Sequence, residues 1–293
     1  MKGAQKHFKE AITVQKSCVE LLGDFTSSQS ESGKSSNTIK TYCYSLQAFA
    51  SWLHNSGGNI DKLTRVDVQQ YIKHLETTNL SAATIGKVFA AIAAFAAFKG
   101  CSHVMEGIQF PVQSKALHTA PKSLSRTERN KLLRDVECDG NLRNIAIIYT
   151  LLFTGIRVSE LCQLSLSDLK LSERSGSLTI RKGKGNISRT VPLPVDARYY
   201  ISKYLKTRTD NDYALFLSQY KQRISIRSVQ HMLQNYGIHP HKLRHTYCRE
   251  LVSAGIDIAS VAELAGHASL EVTRRYSKPS HVELEKAISR AFA

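Results

Sequence analysis

The 293-residue sequence predicts a mainly α protein with a small antiparallel β-sheet, in which an all-helical N-terminal domain is followed by an α+β domain. Three observations predict it. Helix-capping signals stand before most of the apolar-periodic runs. One stretch alone carries two β-favouring runs about a glycine-rich turn. The periodicity lapses between Gly107 and Lys122, where Pro111, Pro121 and small polar residues read as a linker.

Taken in order, an early helix spans about His7 to Phe25, and "SSQSESGKSSN" from Ser27 reads as a short polar loop. Asn37 is the expected cap of a helix that runs to about His54. Thr64 with Asp67 three residues on has capping-box spacing for a helix to about Glu76, and Ser81 opens an Ala-rich helix that ends near Gly100. Beyond the linker, Ser125 and Glu128 repeat the capping-box spacing, and "IAIIYTLLFTG" is apolar enough for a buried helix that Gly155 ends. "GSLTIRKGKGNISRTVPLP" predicts a hairpin with strands near Leu178–Arg181 and Arg189–Leu193. After Pro194 the pattern is helical to the end, broken at Gly237, Gly255 and Gly266. The boundaries that follow are 1–108, a linker at 109–122, and 123–293.

Forty Lys plus Arg against 24 Asp plus Glu give a formal charge of +16, a field that attracts polyanions, nucleic acid first. The charge is uneven. Residues 1–110 carry 11 basic and 8 acidic side chains, so the remaining 29 and 16 place most of the excess in the second domain. The six cysteines, Cys18, Cys43, Cys101, Cys138, Cys162 and Cys248, show no C-x-x-C pair and read as reduced thiols. No apolar run follows the N-terminal lysines, so no secretory signal is expected. The longest apolar run, Val88 to Phe98, is 11 residues against the roughly 20 that cross a bilayer. A soluble, cytoplasmic protein is expected.

Four short motifs and a tyrosine line up in the second domain: "TGIRVSEL" with Arg157 and Glu160, "RKGKGN" with Lys182 and Lys184, "HKLRH" with His241, Arg244 and His245, "LAGHASL" with His267, and "RRY" with Tyr276. Singly, each has a plain reading. Arg157 and Glu160 make an exposed helix-start pair worth under about 1 kcal/mol; the glycine turn is solvated; Tyr276 is a packing residue. His239, His241 and His245 lack the thiolate or carboxylate company of a zinc site, and Arg244 among them would repel a cation. Together the residues make a dense set of phosphate donors. His241 and Arg244 share a helix face, a guanidinium binds two phosphate oxygens at once and stays charged, and such a set stabilises a phosphorane-like transition state without a metal. A phenol of pKa about 10 gains as a nucleophile when cations surround its developing charge.

In order and separation these residues resemble the tyrosine recombinases, the family of phage lambda integrase and the bacterial XerC and XerD enzymes. The resemblance covers R-x-x-E, a lysine in a glycine-rich hairpin, H-x-x-R, a "GH" histidine and a C-terminal tyrosine. It implies a core-binding, SAM-like domain at 1–108 and a catalytic domain at 123–293 that carries a C-terminal exchange helix. It implies the catalytic set Arg157, Lys184, His241, Arg244, His267 and Tyr276, with Tyr276 the nucleophile and Glu160 in support. No metal and no cofactor is implied. The implied partners are double-stranded DNA with inverted-repeat core sites and three further copies of the chain in a synaptic homotetramer, with an accessory protein as an option. "SKPS" stands after the tyrosine where Xer enzymes commonly have Thr-His, which bears on the biological role, whether integration, excision or cointegrate and dimer resolution. A type IB topoisomerase and a DNA-binding regulator of the same fold are the alternatives.

The resemblance assigns Lys184 over Lys182, because "GKGN" places that lysine between two glycines. Expulsion of the 5′-oxygen needs a proton, a contribution of roughly 10² to 10⁴ in rate. Lys184→Ala should therefore be severely slow on ordinary DNA and largely restored when sulfur replaces the 5′-bridging oxygen. Lys182→Ala should show a smaller binding defect that grows with salt. Equal sulfur rescue of both variants would place the acid elsewhere.

Overall fold

A computed structural model describes residues 20–109, 121–181, 188–267, 269–276, 285, 288, 289 and 292. The chain divides into two compact units, residues 1–116 and 117–293. The expected linker falls largely outside the described residues.

Among the described residues of the first unit the regular structure is helical: α1 (20–31), α2 (Ser36–Asn55), α3 (Arg65–Thr77) and α4 (Ala82–Phe98). The caps at Thr64 and Ser81 are where the sequence puts them, and Thr64 with Asp67 forms the full reciprocal box. Two expectations are corrected. The side chain that caps α2 is Ser35, which accepts from the Thr38 amide, so the helix starts before Asn37. The serines after Phe25 are helical as far as Glu31. Thr26 and Ser27 each donate a hydroxyl to a carbonyl one turn back, which satisfies them without leaving the helix, and Ser32 just past its end does the same. Phe25, fully buried, and Gln29 hold this extension to the core. That core is built at helical spacing from Leu46, Phe49 and Leu53 of α2, Val68, Ile72 and Leu75 of α3, and Ile85, Ile92 and Phe95 of α4. Each such side chain contributes about 1.5–3 kcal/mol by leaving water. Gln69 closes the unit by pairing with both backbone groups of Gln109 at 2.9 Å.

The second unit is organised on α6 (Leu142–Thr154), which packs against α8 (Val195–Lys206) and α10 (Pro240–Ser253). Further helices are α5 (Arg126–Cys138), α7 (Val158–Gln163), α9 (Ile226–Gln234), α11 (Ile258–Ala265) and α12 (Leu270–Arg274). The predicted hairpin is present as β2 (Gly176–Ile180) and β3 (Arg189–Pro192), with Leu178 opposite Val191 and both buried. A third strand, β1 (Leu169–Leu171), extends the antiparallel sheet in the order β1-β2-β3. Its three residues, Leu-Lys-Leu, are too few to signal a strand.

The pattern after Pro194 is not helical throughout. Between α8 and α9 the chain is irregular, because Arg208 gathers Asp210 and the carbonyls of Asp212, Ala214 and Leu215 around one guanidinium. Ala214 to Leu217 are buried there, with single β-bridges from Ala214 to Ser165 and from Leu217 to Arg223. Arg223 follows and donates to the carbonyls of Cys162 and Leu164, which fixes the end of α7. Among the described residues no helix is long and apolar enough to cross a membrane.

Candidate active site

The site starts where α6 ends. Gly155 adopts φ 61° and turns the chain into the short segment that precedes α7. A Cβ there would meet Cδ1 of Tyr247 at 2.2 Å, so glycine serves both the left-handed backbone and the close approach of α10. The Gly155 carbonyl accepts from Nη1 of Arg244 at 2.7 Å, and Arg244 is buried on α10.

Arg157 is the N-cap of α7, and Glu160 at the third helical position accepts its backbone N–H at 2.8 Å. The exposed pair expected from the spacing is instead a buried junction, with Glu160 only 3% exposed. Its carboxylate takes Nη1 of Arg157 at 2.9 Å and both terminal nitrogens of Arg189 at 3.2 and 2.8 Å. The same two guanidiniums reach the carboxyl end of α11, Arg157 to the Gly266 carbonyl at 2.8 Å and Arg189 to that of Leu264 at 3.0 Å. Exposed carbonyls at a helix C-terminus favour cations there. One carboxylate and two arginines thus tie α7, β3 and α11 together.

His267 follows directly. Gly266 ends α11 at φ 68°, and the Nδ1 of His267 pairs with Oγ1 of the buried Thr273 at 2.7 Å. Tyr276 donates its backbone N–H to the Thr273 carbonyl at 2.9 Å, which sets its ring parallel to that of His267 with centroids 6.3 Å apart. The Tyr276 Oη lies 2.5 Å from Nδ1 of His245.

The electrostatics follow from burial beside fixed cations. Burial first, then Arg244 and Arg157, push His267 down to about 4. Burial, then His241 and Arg275, do the same for His245. His241, on the exposed side of α10, is lowered by desolvation and then by Arg244. Arg244 falls to about 10, chiefly through burial and then Arg157, and remains charged at neutral pH. Burial, with Cys248 adding to it, raises the Tyr276 phenol above its ordinary 10, against the opposing pull of Arg244 and Arg275. The resting site therefore holds a neutral phenol and neutral imidazoles among cationic guanidiniums.

Arg157, Glu160, His241, Arg244, His267 and Tyr276 are brought to one place. Lys184 and Lys182 lie outside the described residues. Arg189, His245 and Thr273 were missed as site residues. Arg189 had a signal, since it shares a strand face with the buried Val191, and an arginine at a core position demands a buried partner. Among the described residues no cluster of three or more metal-ligating side chains occurs.

The sequence matches the Phage integrase family over residues 122–282 and the Phage integrase N-terminal SAM-like domain over 26–100. It is 34% identical to the tyrosine recombinase XerA of Pyrococcus furiosus, over 93% of this chain and 94% of that protein. It is 28% identical to the TnP I resolvase of Bacillus thuringiensis, over 91% and 98%. Among solved structures, a Tn1549 transposon integrase in complex with transposon right end DNA superposes with a TM-score of 0.70 at 19% identity, over 93% of this chain and 99% of that one.

Glu160→Gln removes the charge and leaves one acceptor oxygen for four donors, so stability should fall by about 3–5 kcal/mol at neutral pH. Desolvation opposes ionisation of Glu160, yet Arg189 and Arg157 outweigh it and hold the carboxylate below its ordinary 4.5. Its contribution is therefore complete above that value and lost as pH falls through the folded-state pKa. Urea melts of both proteins should show a constant gap near neutrality that narrows in acid. A gap that is absent, or that widens in acid, would contradict the assignment.

Proposed function

The chain belongs to the phage integrase family, and from that premise we propose that Tyr276 is the nucleophile with which it cuts DNA. The protein is an Xer-like, site-specific tyrosine recombinase that cleaves and rejoins duplex DNA. The observation that carries the residue assignment is the convergence of Arg157, Arg244, His267 and Tyr276, with the Tyr276 ring parallel to that of His267 and both arginines acting on His267 through their charge.

In the proposed step, Arg157 and Arg244 hold the two non-bridging oxygens of the scissile phosphate. Oη of Tyr276 bonds to phosphorus as the P–O5′ bond breaks, giving a 3′-phosphotyrosyl link and a free 5′-hydroxyl. Fixed guanidiniums favour this because they meet charge that grows on the phosphorane. His241 and His267 donate to the same oxygens. Lys184 protonates the departing 5′-oxygen, and Glu160 positions Arg157 from beneath. The 5′-hydroxyl of a partner strand then attacks the phosphotyrosine and restores both the phosphodiester and the phenol. One phosphoester is exchanged for another, so no nucleotide is consumed.

Residues 1–108 are assigned as a core-binding domain, 109–122 as the linker, and 123–293 as the catalytic domain. Four protomers on two duplexes with inverted-repeat sites form the proposed synaptic complex, in the cytoplasm, with or without an accessory protein. Val282, Leu284, Ile288 and Phe292 recur on one helical face in the sequence after Tyr276, which suits a segment exchanged between protomers. Val282 and Leu284 lie outside the described residues. The two family matches and the relatives named as recombinases and a resolvase favour this reading over a relaxing topoisomerase.

The test uses a nicked duplex carrying the sequence that the protein itself selects from a randomised pool of inverted repeats. The wild type should form an SDS-resistant adduct, and Tyr276→Phe should bind equally well and form none. Adduct from the Phe variant would show that another residue attacks.

A further inference from the structure

Beyond the residues assigned above, two side chains of α10 engage the reacting oxygen: His245, and Cys248 one turn on, whose thiol is pushed up to about 11, chiefly by burial, and so stays protonated at neutral pH. Nδ1 of His245 lies 2.5 Å from Oη of Tyr276, and the two ring centroids are 5.8 Å apart. His245 follows Arg244 on α10, so the helix that supplies an anion-binding guanidinium also supplies this contact. The other histidines are differently engaged. His267 spends its Nδ1 on Thr273, and His241 packs its ring against that of His245 with centroids 6.2 Å apart.

The phenol has to lose its proton as its oxygen bonds to phosphorus. Because its pKa is raised, phenolate is scarce at neutral pH, and a positioned acceptor is the remedy. The groups that face His245 are His239, His241 and Arg244 from its own segment, Arg275 and Tyr276 from the chain after α12, and His267 from the end of α11. Burial first, and then these neutral or cationic neighbours, keep the resting imidazole unprotonated with a lone pair free to accept. A bound phosphodiester offsets those cations, so basicity rises at His245 when substrate arrives.

We propose that His245 is a further catalytic residue, whose Nδ1 takes the Tyr276 proton during cleavage and returns it during rejoining. The proposal rests on the reading of Tyr276 as the nucleophile. In cleavage the O–H bond of the phenol breaks and its electron pair forms the O–P bond. The P–O5′ bond breaks, the 5′-oxygen leaves with a proton from the assigned acid Lys184, and His245 becomes an imidazolium. In rejoining, the 5′-hydroxyl attacks, its proton returns to the lysine, and the imidazolium reprotonates the phenolate. Atoms and charge balance without a further reactant.

His245→Asn separates a base from a spacer, because its amide oxygen stands where Nδ1 stands and accepts a hydrogen bond without being basic. Single-turnover adduct formation on the nicked, self-selected duplex is followed for wild type, His245→Asn and His245→Ala between about pH 6 and pH 9. Both variants should be slower by about 10²-fold at neutral pH, and their rates should climb with pH where the wild-type rate is level. A wild-type rate and profile in His245→Asn would overturn the proposal. Faster cleavage by His245→Ala would also overturn it, since the contact would then be a lock on the nucleophile. Nitrogen NMR of the unliganded wild type needs no variant to fold. It should show Nδ1 of His245 as an acceptor, and a donor signal would overturn the assignment. If the wild type forms no adduct on Tyr276, the nucleophile reading fails and takes this proposal with it. A wild-type adduct with unchanged variants defeats this proposal alone.

Discussion

A single buried carboxylate sets the geometry on which the site depends. Glu160 cannot sit in a dry interior uncompensated, and two arginines from different elements meet it with four hydrogen bonds in all. Each guanidinium has donors left over, and these go to the carbonyls that end α11. The helix is thereby anchored at the point where the chain turns into His267. Gly266 is required there twice, for its left-handed backbone and because a Cβ would lie 2.5 Å from Nη1 of Arg189. Move any one of these groups and His267, then Thr273, then the Tyr276 ring shift with it.

The same frame governs charge. Three guanidiniums, Arg157, Arg189 and Arg244, face one carboxylate, and among the described residues no second acid pairs with them. Burial, with the cationic surplus adding to it, holds the His245 and His267 imidazoles well below their ordinary pKa, whereas burial keeps the resting phenol un-ionised against the pull of Arg244 and Arg275. On the proposed assignment, substrate binding and activation of Tyr276 are one electrostatic event, in which the DNA backbone relieves the cost the folded protein bears in gathering like charges.

Local chemistry made much of the fold legible. Capping at Thr64, Ser81 and Ser125, the glycine stop at Gly155 and the hairpin strands are written in neighbouring residues, because a cap or a turn involves partners a few positions apart. What was missed depends on distant partners. Ser35 and Asn37 are both competent caps, and only the hydrogen-bond ladder selects Ser35. The helix through Ser27 to Glu31 survives its serines because Phe25 and Gln29 are buried. The chain around Arg208 is irregular because one guanidinium satisfies several carbonyls, which no periodicity encodes. The order of Arg157, His241, Arg244, His267 and Tyr276 was likewise readable. The burial of Glu160, the role of Arg189 and the contact of His245 with the phenol were not, since each joins elements separated along the chain.

The central claim is that charge gathered around Tyr276 makes that phenol the group that holds DNA. Peptide mapping of the covalent adduct tests it most directly. Wild-type protein trapped on a nicked duplex, digested with protease and nuclease and sequenced by mass spectrometry should carry its 3′-phosphate on Tyr276. A nucleotide remnant on any other residue, or on a 5′-phosphate, would contradict the account.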